Sequence, residues 1–165
     1  MAGTLKLTPH ETLTIRRSEP EVLEVEAVYG PGGSPPPAHL HPSQDEHFEV
    51  LAGQIRARVD GEDRTLTAGD TIDIPRDTKH QMWNASSEEA RVLWQTRPAG
   101  RTEEWFRGIG RLIRENGDQM PGPAAFATVL TEYRDVFRLA VAPDPVLRPV
   151  VAALGAVGRL RGRRA

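Results

Sequence analysis

The chain has 165 residues, 38% of them hydrophobic and 27% charged, and a formal net charge of -2. That length suits one domain with room for an appendage, and the small net charge offers no general attraction to nucleic acid or to acidic lipid. There is no cysteine, which excludes disulfides, zinc–thiolate sites and thiol nucleophiles; any metal must be held by nitrogen and oxygen.

Met1 to Lys6 lacks the apolar core of a secretion signal. The longest apolar run, Val150 to Val157, is too short to cross a bilayer and is broken by Gly155. A cytoplasmic protein without membrane contact is expected. Residues 4 to 29 read as strands. Thr12 to Arg16 alternates, and Val22 to Tyr29 interleaves Leu23, Val25 and Ala27 with Glu24 and Glu26. Gly30 to Pro37 is a loop with a stiff proline end, which delivers the next strand at His39.

Short strands then follow at even spacing. His47 to Leu51 is turned by Ala52-Gly53. Gln54 to Asp60 alternates most cleanly, and Asp60-Gly61 starts a hairpin. Arg64–Thr67, Thr71–Ile74, Lys79–Asn84 and Ala90–Thr96 complete the series. This pattern predicts an all-β sandwich or barrel over residues 1–98. From residue 99 to 165 the period becomes helical, and two or three helices are expected. The first carries Trp105, Phe106, Ile109, Leu112 and Ile113 and stops at Asn116-Gly117. The second has Phe126, Val129, Leu130, Tyr133, Val136 and Phe137 on one face. The third lies near Asp144 to Leu160 and either starts at about Arg148 or kinks at Pro149. These helices are expected on the outer face of the β-domain or against a partner subunit, and a homodimer is the expected assembly.

The chemistry concentrates between Gly33 and Asn84. His39 and His41 flank Leu40, so in a strand both imidazoles share one face. Glu46 follows, and His80 comes from a later strand after Pro75-Arg76-Asp77-Thr78. Three imidazoles and a carboxylate suit one divalent ion (iron, manganese, nickel, copper or zinc) and leave coordination positions open. Strand parity puts Phe48, Val50 and Met82 around the site as apolar lining. His47 falls on the opposite face, and His10 lies in an exposed N-terminal turn. Asp45 could replace Glu46 if the register slipped by one, but the spacing to Gly53 favours Glu46. Gln44 and Asn84 are candidates either for orienting ligands or for holding turns. Trp83 and Trp94 read as packing residues. The basic tail Arg159, Arg161, Arg163 and Arg164 reads as a solvated end.

The spacing from Gly33 through His39, His41 and Glu46 to Gly53, and from Gly69 through Pro75 to His80 and Asn84, resembles both signature motifs of the cupin family. One position departs: Asp77 stands where the pattern has glycine, and aspartate tolerates left-handed turns better than most residues. The resemblance covers about Glu21 to Pro98 and is nearest to single-domain cupins with a helical C-terminal extension. It implies a jelly-roll β-barrel in which His39, His41, Glu46 and His80 bind one metal.

Three functions are open at this stage. One is a mononuclear metal-dependent oxygenase, as in the dioxygenase members of that family, acting on a small organic molecule. Another is a non-redox metalloenzyme such as an isomerase or lyase, in which the metal polarises a carbonyl. The third is a small-molecule binder without chemistry. No helix-turn-helix pattern supports a nucleic-acid role, and spacing ties no second carboxylate or lysine to the site.

Overall fold

Alternation of apolar and polar side chains shapes the first two thirds of the chain. The computed structural model describes residues 3–162; Arg163 and Arg164 lie outside them. Ten strands come first: β1 (Thr4–Thr8), β2 (Glu11–Glu19), β3 (Val22–Tyr29), β4 (His39–Leu40), β5 (Asp45–Ala52), β6 (Gln54–Val59), β7 (Glu62–Thr67), β8 (Thr71–Ile74), β9 (His80–Trp83) and β10 (Ala90–Arg97). After these come α1 (Thr102–Glu115), α2 (Pro123–Glu132), β11 (Arg138–Leu139) and α3 (Asp144–Leu160).

The strands form two antiparallel sheets. One runs β1-β2-β3-β10-β5-β8 and the other β11-β4-β9-β6-β7. β10 returns from the far end of the domain to lie between β3 and β5, the crossover of a jelly-roll arrangement. The core lies between the sheets. Leu13, Val25, Val50 and Val92 come from the first, and Ile55 and Ala57 from the second; all are essentially inaccessible to water. Each buried valine, leucine or isoleucine among them contributes roughly 1.5–3 kcal/mol.

Two turns fix the register around the site. Asp60 and Gly61 both have positive φ, at 50° and 89°, the backbone a tight hairpin between twisted strands requires. Gly53 has φ 74°, and a Cβ there would lie 2.5 Å from the Glu89 carbonyl oxygen, so β5 turns into β6 directly against the start of β10.

The helical part departs from the periodicity in two places. α1 and its stop match the pattern: Glu103 and Glu104 occupy the first turn, and Gly117 follows at φ 66°. α2 ends at Glu132, before Val136 and Phe137. Backbone bonds from Val136 and Phe137 back to the Tyr133 carbonyl make a tight turn instead, and the chain enters β11, which pairs with β4. That pairing and the burial of Val136 outweigh local helix propensity. α3 starts at Asp144 and runs through Pro149. Pro149 lacks an N–H and leaves the Pro145 carbonyl without its helical donor, but Pro145 lies in an exposed first turn where water can serve it. Gly155 and Gly158 seat α3 on α2. Among the described residues no helix is long and apolar enough to cross a membrane.

Candidate metal centre

The pairing of β4 with β9 sets His39 directly opposite His80. His41, two residues after His39, adds the third imidazole. The ring centroids lie 4.4 Å apart for His39–His80, 5.5 Å for His39–His41 and 5.4 Å for His41–His80. One nitrogen from each ring lies within 4.8 Å of the others. Glu46 comes from β5 in the facing sheet. Its carboxylate reaches His41 Nε2 at 3.3 Å and His80 Nε2 at 3.0 Å. The structure thus brings all four predicted residues together, with the three histidines as the tight group and Glu46 beside them.

Each Nδ1 is already committed. His39 Nδ1 donates to the Pro37 carbonyl at 3.0 Å, His80 Nδ1 to Thr78 at 3.0 Å, and His41 Nδ1 to Val136 at 2.7 Å. A carbonyl only accepts, so Nδ1 carries the proton and the neutral ring presents its Nε2 lone pair to the site. Lone pairs from the imidazoles then face the oxygens of Glu46. Glu46 Oε2 is buried and has no aligned hydrogen bond. Only a cation between them resolves this juxtaposition, whether a proton or a metal ion. The donor set therefore fits a divalent metal, with the backbone carbonyls fixing each ring's tautomer.

The electrostatics agree. Burial, with the neighbouring His80 and His41, pushes His39 down to about 3, so it stays neutral near pH 7. Burial also lowers His41, although Glu46 pulls the other way. Burial would raise Glu46, but the fields of His41, His80 and His39 outweigh it and hold the carboxyl at about 2. Burial would lower His80, yet its contact with Glu46 wins and raises it.

Other candidates separate from the site. His47 points away and meets Asp73 at 2.7 Å. Asp45 bonds Arg76 outside the cavity. Asn84 holds a turn, donating to the carbonyls of Tyr29 and Glu88 and accepting from Ser86. Gln44 is buried near Gly100. Trp83 packs under the Arg58 guanidinium, and His10 is exposed.

Three expectations need correction. Val50 belongs to the core, whereas Phe48 and Met82 do line the cavity. Trp94 is more than packing: its indole N–H donates to Glu46 Oε1 at 3.0 Å, and its ring forms cavity wall. A second carboxylate is present, because Glu11 lines the same cavity. The helical tail also contributes. Phe137 stacks on His39 at 4.6 Å, and Trp105 stacks on Phe137 at 4.6 Å. Spacing could not reveal these residues, since each reaches the site through strand pairing or helix docking distant in sequence.

Counting its open mouth, the cavity encloses about 820 Å³ of empty space. Its walls are aromatic and aliphatic, with the histidines among them.

Residues 25–96 match the family model described as Cupin domain. A stretch of 60 residues is 43% identical to the protein named Oxidoreductase iacF from Pestalotiopsis fici, covering 35% of this chain and 29% of that protein. A stretch of 87 residues is 29% identical to the Tetracenomycin polyketide synthase protein TcmJ from Streptomyces glaucescens, covering 53% of this chain and 54% of that one. The chain thus spans about half or less of the length of these relatives. Among solved structures, an RmlC-like cupin from Shewanella frigidimarina superposes with a TM-score of 0.56 at 18% identity, covering 62% of this chain and 89% of that one. The matched region spans β10, β5 and β9, which carry or flank the site, and on this evidence the β-barrel of this chain is a cupin domain.

Proposed function

We propose that the protein is a mononuclear metal-dependent oxygenase-like enzyme acting on a small, flat, largely apolar organic molecule. The carrying observation is the set of three imidazoles in the wall of an aromatic cavity, each with Nδ1 tied to a carbonyl, and with Glu46 beside the Nε2 atoms of His41 and His80. His39, His41, Glu46 and His80 would hold the ion. When bound, it supplies open coordination positions for dioxygen or a chelating substrate, and Lewis acidity. The protein's own part is to orient the imidazoles through Pro37, Thr78 and Val136, to keep Glu46 ionised, and to exclude water with Phe48, Trp94 and Phe137. The printed name of the fungal relative, an oxidoreductase, supports redox chemistry. That of the bacterial relative, a polyketide synthase protein, supports a ligand of polyketide type.

The test is elemental analysis of the purified protein and of its His39→Ala/His41→Ala variant, followed by oxygen-electrode assays of the iron-loaded wild type with phenolic compounds. One equivalent of metal, lost in the variant, together with substrate-dependent oxygen uptake is expected. A wild type that binds no metal overturns the reading. Turnover that persists without oxygen or with zinc replaces it by non-redox chemistry.

A further inference from the structure

Two strand registers place a second polar feature in the cavity, well away from the histidines. Thr8 pairs with Glu11 across β1 and β2, and Glu11 pairs with Tyr29 across β2 and β3. These three residues form one row across the sheet, and all three line the cavity. The Glu46 row runs through Thr96 to Leu23. The intervening rows are Phe48–Trp94–Val25 and Val50–Val92–Ala27, and Tyr29 lies in the next, opposite Ala90. Three steps of two residues amount to about 20 Å of strand, shortened by the reach of the side chains. Tyr29 and Glu11 nevertheless line the same cavity as His39, His41 and His80.

The wall between them is apolar and flat. Phe48 and Trp94 stack at 5.3 Å, and Ile109 and Phe126 come from the helices. A register shift between Lys6 and Thr8 lets consecutive residues, Leu7 and Thr8, both face inward, which a regular strand forbids. Among the described residues Glu11 joins no ion pair. Tyr29 stands opposite it in the strand register and lines the same cavity wall. A carboxyl in such a wall costs stability unless something hydrogen-bonds it. Burial pushes Glu11 up to about 7, with the Tyr29 hydroxyl opposing part of the rise.

We infer that Glu11 and Tyr29 form a hydroxyl-recognising subsite at the end of the cavity opposite the histidine cluster, which selects flat aromatic ligands bearing a hydroxyl group remote from the metal-binding end. The inference rests on the cavity being the ligand pocket. Glu11 accepts from the ligand hydroxyl while Tyr29 aligns the carboxyl. Neither residue is placed among the metal ligands, so the subsite sets ligand preference and leaves metal binding alone.

Trp94 and Trp105 line the cavity, so their fluorescence reports occupancy. The probes are β-naphthol and its diol counterpart with a second hydroxyl at the far end of the ring system, titrated into wild type, Glu11→Leu and Tyr29→Phe, with cobalt(II) affinity measured in parallel. Wild type should bind the diol about tenfold more tightly than β-naphthol, the value of one well-made hydrogen bond to a charged or polar acceptor. Both variants should lose that preference, while their β-naphthol and cobalt(II) affinities stay within about twofold of wild type, a difference well below one hydrogen bond. Tyr29→Phe keeps the ring and the fold, so the test stands if Glu11→Leu fails to fold. A preference retained in the folded variants, or absent in wild type that binds β-naphthol, overturns the subsite alone. Failure of wild type to bind either naphthol overturns the cavity as ligand pocket and the subsite with it.

Discussion

His41 Nδ1 donates a 2.7 Å hydrogen bond to the carbonyl of Val136, a residue 95 positions further along the chain. The helical tail is therefore part of the site. β11 extends the sheet that carries His39, and Phe137 presses on the His39 ring from the next position. Removing that pressure should loosen both imidazoles. Phe137→Ala is expected to lower cobalt(II) affinity by about tenfold, the lower end for loss of a group that orients a ligand. Isothermal titration measures it, with circular dichroism to confirm that the barrel is intact. Unchanged affinity in a folded variant would show that the tail covers the site without shaping it.

Trp94 makes a second such link. Its indole N–H is the donor to Glu46 Oε1, and both groups are buried. Trp94→Phe keeps most of the ring and removes the donor. Leaving a buried carboxylate oxygen without a partner costs about 1–3 kcal/mol, and urea unfolding should show a loss in that range. Trp83→Phe is the control, because the Trp83 ring packs under the Arg58 guanidinium and not beside Glu46; its loss should be smaller. Equal losses would mean that ring volume matters and the hydrogen bond to Glu46 does not.

What could be read from the amino-acid order follows from how local each signal is. His39, His41 and His80 were legible because strand parity and a turn fix where a side chain points. The same parity sent His47 to the outer face. The Pro37 and Thr78 carbonyls that orient two of the rings lie two residues from them. Val136, Phe137, Trp94 and Glu11 carry no such signal. Periodicity assigned Val136 and Phe137 to a helix face, and only the pairing of β11 with β4 takes them out of it. Glu11 reaches the cavity because β2 pairs with β3 and β3 pairs with β10, a relationship that no window of neighbouring residues contains.

Glu11 also gives a signed pH dependence. Burial raises its folded value to about 7, above the unfolded carboxyl value of 4.5. Between these values the folded state holds a proton that the unfolded state has released. Stability therefore falls as pH rises through that window, by up to about 3 kcal/mol from the size of the shift. Glu11→Gln lacks the group and should not show this fall. The difference in unfolding free energy between variant and wild type should grow in the variant's favour from pH 4 to about pH 8. A difference that stays flat would place the Glu11 carboxyl in water.

Asp77 tests the turn that delivers His80. Its φ is 61°, left-handed backbone that glycine adopts freely, at the position where the family pattern has glycine. Its N–H donates to the His41 carbonyl at 2.9 Å, so this turn also ties the His80 strand to the His41 segment. A side chain in that region costs roughly 1–2 kcal/mol for most residues and less for aspartate. Asp77→Gly relieves that cost but increases the freedom of the unfolded chain, and the balance should be a gain of no more than about 1 kcal/mol. Asp77→Val keeps the burden of a side chain, adds β-branching and loses the tolerance of aspartate, so it should cost about 1–2 kcal/mol. It should also weaken cobalt(II) binding, because a distorted turn shifts His80 relative to His41. Thermal melts and cobalt titration of the two variants separate these effects. If Asp77→Val matched wild type in both, the left-handed turn would not be what holds the two halves of the site in register.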